Sequence, residues 1–166
     1  MSPAVRTPVQ IAWVTAELDA TETALSALLG AKKWVRMPRI HFGPDSCTYR
    51  GRPADFYADI SLSYAGDMQL ELIAPVSGDS IYTEFFKDSG PGLHHICIDA
   101  ADADGFATGV AQAVEGGAEV VQQGVMPGGI EFAYVSAAAA GVPYLEIAHF
   151  PPEIRAVFDY IKQEQQ

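Results

Sequence analysis

An internal repeat is the feature that most limits the folds this sequence can adopt. Each half of the chain has the pattern of a strand, a helix and three further strands. The stretch QIAWVTAELDATETALSALLGAKKWV aligns with HICIDAADADGFATGVAQAVEGGAEVV, and QLELIAP aligns with YLEIAHFP. Two copies of one module side by side imply a pseudo-twofold axis, so we expect paired positions to lie around that axis.

The repeat predicts an α+β fold of two tandem βαβββ modules followed by a C-terminal helix. We treat residues 1–166 as one domain and divide it into a first module at 8–75, a connecting segment at 76–91, a second module at 92–150 and the C-terminal helix at 151–166. The stretch 38–55 has no strong periodicity, and a loop of this length is usually a lid, a binding loop or a mobile segment.

Composition narrows the expected partners and compartment. A net charge of −11 argues against nucleic acid and against anionic membranes as partners. Cys47 and Cys97 are too few for a disulfide framework, which suits a reducing interior. The start of the sequence lacks the apolar segment of a signal peptide, and no apolar run is long enough to cross a bilayer. We therefore expect a cytoplasmic protein.

A strand with two adjacent histidines, Gly92–Asp99, opens the second half. Because side chains alternate across a strand, this pattern predicts that His94 and His95 point to opposite faces. His94 falls on the apolar face that a helix would cover, so we expect it to be structural. His95 would face a cavity between the two modules.

Four polar residues stand inside otherwise apolar strands, at positions that the repeat relates. Gln10 aligns with His95, and Glu71 aligns with Glu146. In each strand the polar residue lies opposite the more apolar face, so all four should point into the cavity. Each alone is more often a core or ion-paired residue. Together, a buried amide, an imidazole and two carboxylates are most simply reconciled by a divalent cation.

The hairpins that precede the two glutamates also align by spacing. Twelve residues separate Asp59 from Glu71, and the same number separates Tyr134 from Glu146. This spacing pairs Asp59 with Tyr134 and places Asp59 on the cavity-facing side of its strand. Three aromatic residues would either line a substrate pocket or pack the core: Tyr57, Phe132 and Tyr134.

The segments PGLHHICID, LELIAP and YLEIA resemble the vicinal oxygen chelate superfamily, which includes glyoxalase I, methylmalonyl-CoA epimerase, extradiol dioxygenases and bleomycin-resistance proteins. The resemblance covers nearly the whole chain, and these segments are most similar to methylmalonyl-CoA epimerases. It implies that the two modules form an open mixed β-barrel around a metal-binding cavity. It also places the superfamily's four metal-ligand positions on Gln10, Glu71, His95 and Glu146.

The ligand order Gln, Glu, His, Glu is similar to animal-type glyoxalase I, which uses zinc. We therefore expect one divalent metal ion, zinc first, with cobalt, manganese, nickel or magnesium as alternatives. Many relatives have a histidine where this chain has Gln10, which is a weaker, neutral donor. Extradiol-type oxygenases need two histidines and one carboxylate, so the single candidate histidine argues against oxygen activation.

The resemblance implies a metal-dependent isomerase or lyase that removes a proton α to a carbonyl and stabilises the resulting enolate on the metal. Glu146 would act as the base by leaving the metal, with Asp59 as the other candidate. The expected substrate is a small molecule, either a CoA thioester or a thiol hemithioacetal, and relatives commonly form homodimers. The alternative is a metal-free protein that binds or sequesters a small molecule on the same fold, with Gln10 marking the loss of a working site.

Overall fold

A single curled sheet of ten strands organises the computed structural model, which describes residues 5–166. The strands are β1 (Pro8–Val14), β2 (Val35–Phe42), β3 (Cys47–Tyr49), β4 (Arg52–Pro53), β5 (Phe56–Ala65), β6 (Met68–Ser77), β7 (Gly92–Asp99), β8 (Val120–Met126), β9 (Ile130–Ser136) and β10 (Tyr144–His149). The helices are α1 (Leu18–Leu29), α2 (Ile81–Ser89), α3 (Ala103–Glu115) and α4 (Pro152–Gln163). The predicted α+β fold of paired modules with a C-terminal helix is confirmed.

The two halves of the sheet meet at an antiparallel seam between β1 and β7. The strand order is β2-β5-β6-β1-β7-β10-β9-β8-β3-β4. In each half the first strand pairs in parallel with the last: Gln10 lies opposite Gln69, and His95 lies opposite Tyr144. The seam therefore carries the pseudo-twofold relation that the repeat predicts, and the division into domains given above stays a prediction.

The two hairpins of the repeat differ in length, which corrects the expected alignment of Asp59 with Tyr134. Leu62 lies opposite Glu71 and is nine residues away, whereas Tyr134 lies opposite Glu146 and is twelve residues away. The three-residue difference equals the 3-10 turn at Ala138–Ala140 in the second hairpin. Because a shift by an odd number of residues reverses the face of a strand, Leu62 rather than Asp59 is the equivalent of Tyr134.

The stretch 38–55 is largely part of the sheet, and its description as a long loop is wrong. Strand β2, at one edge of the sheet, continues to Phe42, and β3 then pairs between β8 and the other edge strand, β4. Only residues 43–46 connect β2 with β3, so the sheet curls until its edges approach each other. Periodicity missed these strands because they are short and β2 is irregular between Met37 and Ile40.

Helices cover both faces of the sheet. Helices α1 and α3 pack on the outer face, where Ile98 and Ile147 contact Phe106 of α3. Helices α2 and α4 pack against the inner face, and a buried cluster there contains Tyr82 and Ile161 together with side chains of the strands. None of the helices in residues 5–166 combines the length and apolar character needed to cross a membrane.

Candidate metal centre

Four side chains from four adjacent strands meet on the inner face of the sheet. The Nε2 atom of His95 lies 3.0 Å from Oε2 of Glu146 and 3.4 Å from Oε2 of Glu71. The same nitrogen lies 3.3 Å from Oε1 of Gln10. The structure thus brings together all four residues that the repeat and the resemblance single out.

The sheet topology explains why these side chains converge. Gln10 and His95 stand on β1 and β7, which form the seam, and Glu71 and Glu146 stand on β6 and β10, which flank it. All four side chains lie on the inward side of their strands, so their polar ends meet there. Convergence at one point follows from placing equivalent residues around a pseudo-twofold axis.

The spacing of the donor atoms fits a divalent cation. Ligand atoms held about 2.0–2.2 Å from one ion lie roughly 3.3–3.6 Å apart in a tetrahedron and roughly 2.8–3.1 Å apart as octahedral neighbours. The separations of 3.0, 3.3 and 3.4 Å from His95 Nε2 fall within these ranges. The imidazole and carboxylate donors all lie within 4.8 Å of one another. One nitrogen and three oxygen donors suit zinc and the other divalent ions named above.

Protonation of His95 offsets negative charge at this site when no cation is bound. Burial of His95 opposes its charged form, but hydrogen bonds and attraction from Glu146 and Glu71 outweigh burial and raise its pKa to about 9. Burial also raises the pKa of Glu71. A cation that binds here must therefore displace the imidazole proton, so metal binding and proton release are linked.

A β-bulge at His94 overturns the expectation that the two histidines point to opposite faces. Ala12 of β1 lies opposite His95, whereas Trp13 lies opposite Leu93, so His94 is an extra residue in β7. Both imidazoles are buried on the inner side, and their Nδ1 atoms lie 2.8 Å apart. Alternation predicts faces only while the register is continuous, and the bulge interrupts it.

The contact between the two imidazoles determines how His95 presents its ring. Burial, followed by the nearby charge on His95, lowers the pKa of His94 to about 2, so His94 is neutral. Its Nδ1 atom can then accept the N–H of His95 Nδ1. This hydrogen bond leaves Nε2 of His95 directed at the carboxylates, which is the arrangement that metal-binding histidines commonly have.

Two of the three predicted pocket residues lie beside the centre. The ring of Tyr134 is 4.9 Å from the ring of His95, and Phe132 packs 5.8 Å from Tyr134. The hydroxyl of Tyr134 lies 2.6 Å from the hydroxyl of Tyr82 of α2. Both predicted aromatic residues are also part of the buried core, so lining the centre and packing the core are combined here.

Tyr57 and Asp59 lie on the opposite side of the sheet, so the placement of Asp59 toward the cavity is wrong. Ser61, on the same side of β5, donates a hydrogen bond to Glu22 of the outer helix α1. Asp59 accepts a hydrogen bond from the backbone N–H of Arg39, and Tyr57 stacks on a neighbouring imidazole in β2. The difference in hairpin length described above is the cause.

Comparison with known proteins identifies the family. Residues 9–134 match the sequence profile described as the Glyoxalase/Bleomycin resistance protein/Dioxygenase superfamily. The chain belongs to this superfamily. The matched residues include three of the four members of the centre, and Glu146 lies beyond them. The resemblance stated from the sequence is therefore confirmed.

Several solved structures share the fold. Methylmalonyl-CoA epimerase from Mycobacterium tuberculosis has a TM-score of 0.60 at 16% identity, covering 94% of this chain and 96% of its own. A hypothetical protein from Bacillus halodurans C-125 has a TM-score of 0.60 at 17% identity, covering 89% and 96%. A variant of methylmalonyl-CoA epimerase from Streptomyces coelicolor has a TM-score of 0.58 at 17% identity, covering 89% and 99%. No curated protein matches this sequence significantly.

The four-residue centre has neighbours that sequence reasoning missed. Gln69 accepts a hydrogen bond from the amide of Gln10 at 2.6 Å, and Nε2 of Gln69 donates a hydrogen bond to the hydroxyl of Tyr64 at 3.1 Å. Alternation already places Gln69 on the same face as Glu71, and this signal could have identified it. Tyr82 belongs to α2, outside the repeat, and no sequence signal points to it.

Access to the centre is narrow. His95 is fully buried, while the side chains of Glu71 and Glu146 keep 13% and 10% of their exposure. A cavity of about 260 Å³ lies between α4 and the sheet, and Tyr64 and Gln69 line it beside the Gln10 end of the centre. The two carboxylates themselves do not line this cavity, and only their small exposed fractions are open to solvent.

Proposed function

We propose that this protein is a metal-dependent isomerase or lyase that moves a proton α to a carbonyl group. The observation that supports this proposal is the convergence of Gln10, Glu71, His95 and Glu146 at one buried point with cation-like spacing. A divalent cation held by these residues would supply Lewis-acid stabilisation for charge that develops on the carbonyl oxygen.

Glu146 is the proposed base. Its carboxylate lies 3.0 Å from His95 Nε2, keeps partial exposure and stands beside the aromatic ring of Tyr134. A base must reach the α-proton of a bound substrate, and Asp59 on the outer face of the sheet does not meet this requirement. Glu146 is therefore the remaining member of the predicted pair of bases, and Glu71 stays a ligand in the proposal.

A CoA thioester is the proposed substrate class, with a thiol hemithioacetal as the other possibility. The Streptomyces coelicolor epimerase of the same fold is in complex with 2-nitronate-propionyl-CoA. Another methylmalonyl-CoA epimerase of this fold is in complex with methylmalonyl-CoA and NH4+. Both proposed substrates carry an acidic C–H beside a carbonyl or incipient carbonyl carbon, which one carboxylate base can remove. A cytoplasmic location and a homodimer stay predictions.

A metal-free binding protein is the second candidate function. The neutral amide at Gln10 and the small exposed fraction of the two glutamates favour it, because both weaken the case for an ion in exchange with solvent. In that case protonated His95 would satisfy the two carboxylates permanently. Metal content separates the two candidates.

Solvent-deuterium exchange tests the proposed chemistry. Metal-free protein would be reloaded with zinc, cobalt or manganese and incubated in D₂O with thioesters and hemithioacetals. We expect deuterium to enter the α position in the presence of metal, and Glu146→Gln to abolish this exchange. Tyr57→Phe, which changes a residue on the outer face, is the matched control and should exchange normally. Absence of exchange with every metal and both substrate classes would contradict the proposal.

A further inference from the structure

We propose that Gln69 is a positioning residue that holds the carbonyl oxygen of Gln10 toward the metal. This inference rests on the proposed metal centre. It concerns the one ligand whose donor atom is not fixed by its chemical identity. A carboxylate presents oxygen whichever way it turns, whereas the amide of Gln10 can present either oxygen or NH2.

Three side chains on neighbouring strands form a hydrogen-bonded line that ends at the centre. Tyr64 on β5 accepts from Gln69 Nε2 at 3.1 Å, and Gln69 Oε1 accepts from Gln10 Nε2 at 2.6 Å. Oε1 of Gln10 then lies 3.3 Å from Nε2 of His95. The strand register supports this line of hydrogen bonds. Gln69 of β6 lies directly opposite Gln10 of β1, and Tyr64 of β5 lies directly opposite Gln69.

Burial makes the orientation of the Gln10 amide costly to reverse. Gln10 and Gln69 are only 4% and 3% exposed. While Gln69 Nε2 donates to the hydroxyl of Tyr64, turning the Gln10 amide over would direct two carbonyl oxygens at each other across the 2.6 Å contact and would direct NH2 at a bound cation. Water cannot compensate readily in such a buried place, so each mismatched contact would carry its full penalty. The hydrogen bond to Gln69 thus selects the orientation in which Gln10 can bind metal.

The second half of the repeat solves the same problem with a different residue. The equivalent of Gln69 is Tyr144, which lies opposite His95. The orienting contact to His95 comes instead from Nδ1 of His94, the residue inserted by the bulge. At both seam positions a neighbouring acceptor takes an N–H of the ligand side chain and leaves the ligand's free electron pair facing the centre.

Metal affinity in a set of variants tests this role without relying on catalysis. Gln69→Met keeps the size of the side chain but removes the acceptor, whereas Gln69→Glu keeps an acceptor. Cobalt and zinc affinities would be measured by competition with a chelating indicator, and the visible spectrum of bound cobalt would report on ligand geometry. We expect Gln69→Met to weaken metal binding about 10–100-fold and to change the cobalt spectrum. Gln69→Glu should bind metal with an affinity near that of the wild-type protein.

A double-mutant cycle shows whether Gln69 acts through Gln10. In a Gln10→Ala background, Gln69→Met should cause no further loss of affinity, because no amide is left to orient. Gln122→Met is the matched control: it removes another fully buried amide, which accepts from the backbone of Ile81 at the start of α2, and should leave metal affinity unchanged. Unfolding curves of the metal-free variants identify any general loss of stability, and Gln69→Leu, which also lacks the acceptor, serves if Gln69→Met does not fold.

The outcomes distinguish this inference from the proposed function. Wild-type protein that binds metal with an affinity insensitive to Gln69→Met would overturn the role of Gln69 and leave the metal centre intact. An equal loss in the wild-type and Gln10→Ala backgrounds would also overturn it, because Gln69 would then act independently of Gln10. Wild-type protein that binds neither cobalt nor zinc would overturn both proposals.

Discussion

Metal-free protein is expected to lose stability as the pH rises from about 6.5 to about 9. The pKa of His95 is raised in the folded protein, so folding favours its protonated form. That contribution is fully present below about pH 6.5, where the unfolded chain is protonated too, and is lost as the pH rises through about 9. The difference between a pKa of about 9 and the ordinary value of 6.5, at about 1.4 kcal/mol for each pKa unit, corresponds to about 3–4 kcal/mol of unfolding free energy.

Chemical denaturation in the presence of a chelator measures this change directly. The unfolding free energy would be determined at intervals across the stated pH range for wild-type protein and for His95→Gln, which lacks the titrating group. The unfolding free energy of His95→Gln should change little over this pH range. With saturating zinc the wild-type slope should disappear or reverse, because metal replaces the proton that is lost. A metal-free wild-type profile that is flat or rises over this range would refute the reasoning about charge at the centre.

Further predictions concern the proposed base, the attachment of α4 and the tyrosine pair. Glu146→Gln should abolish deuterium entry and weaken but not eliminate cobalt binding, as measured by exchange and by titration. Arg155→Met removes the paired hydrogen bonds to Asp99 at 2.6 and 2.8 Å; we expect a loss of about 1 kcal/mol and faster hydrogen exchange in α4. Tyr82→Phe removes the hydrogen bond to Tyr134 and should cost about 1 kcal/mol in urea unfolding, with metal stoichiometry unchanged.

The paired modules and the convergence of the centre could be predicted because they depend on the repeat. Polar residues such as Glu71 and Glu146 inside apolar strands are costly alone, so their recurrence at equivalent positions indicates a shared environment. The pairing of β1 with β6 and of β7 with β10 preserves this equivalence, as Gln10 and His95 demonstrate. Local hydrophobicity and symmetry were sufficient for these features.

The errors arose where the register changes without a local signal. Three additional residues between Tyr134 and Glu146 form a 3-10 turn, so equal spacing aligned Tyr134 with Asp59 instead of Leu62 and assigned Asp59 to the wrong face. A single extra residue in β7 placed His94 against His95 rather than across the sheet from it. Neither a bulge nor a difference in hairpin length alters the apolar pattern enough to be read from one sequence. The pairing of β3 with β8 joins distant segments, and β3 is too short to show a periodic pattern.

The central claim is that one divalent cation is held by one imidazole and three oxygen donors. X-ray absorption of the zinc-loaded protein tests it most directly, because this measurement reports the elements and distances around the ion. We predict one zinc per chain, with oxygen and nitrogen neighbours at about 2.0–2.2 Å and scattering from a single imidazole, which is lost in His95→Gln. Scattering from sulfur, from two or more imidazoles, or zinc that remains bound in the same way in His95→Gln would contradict the claim.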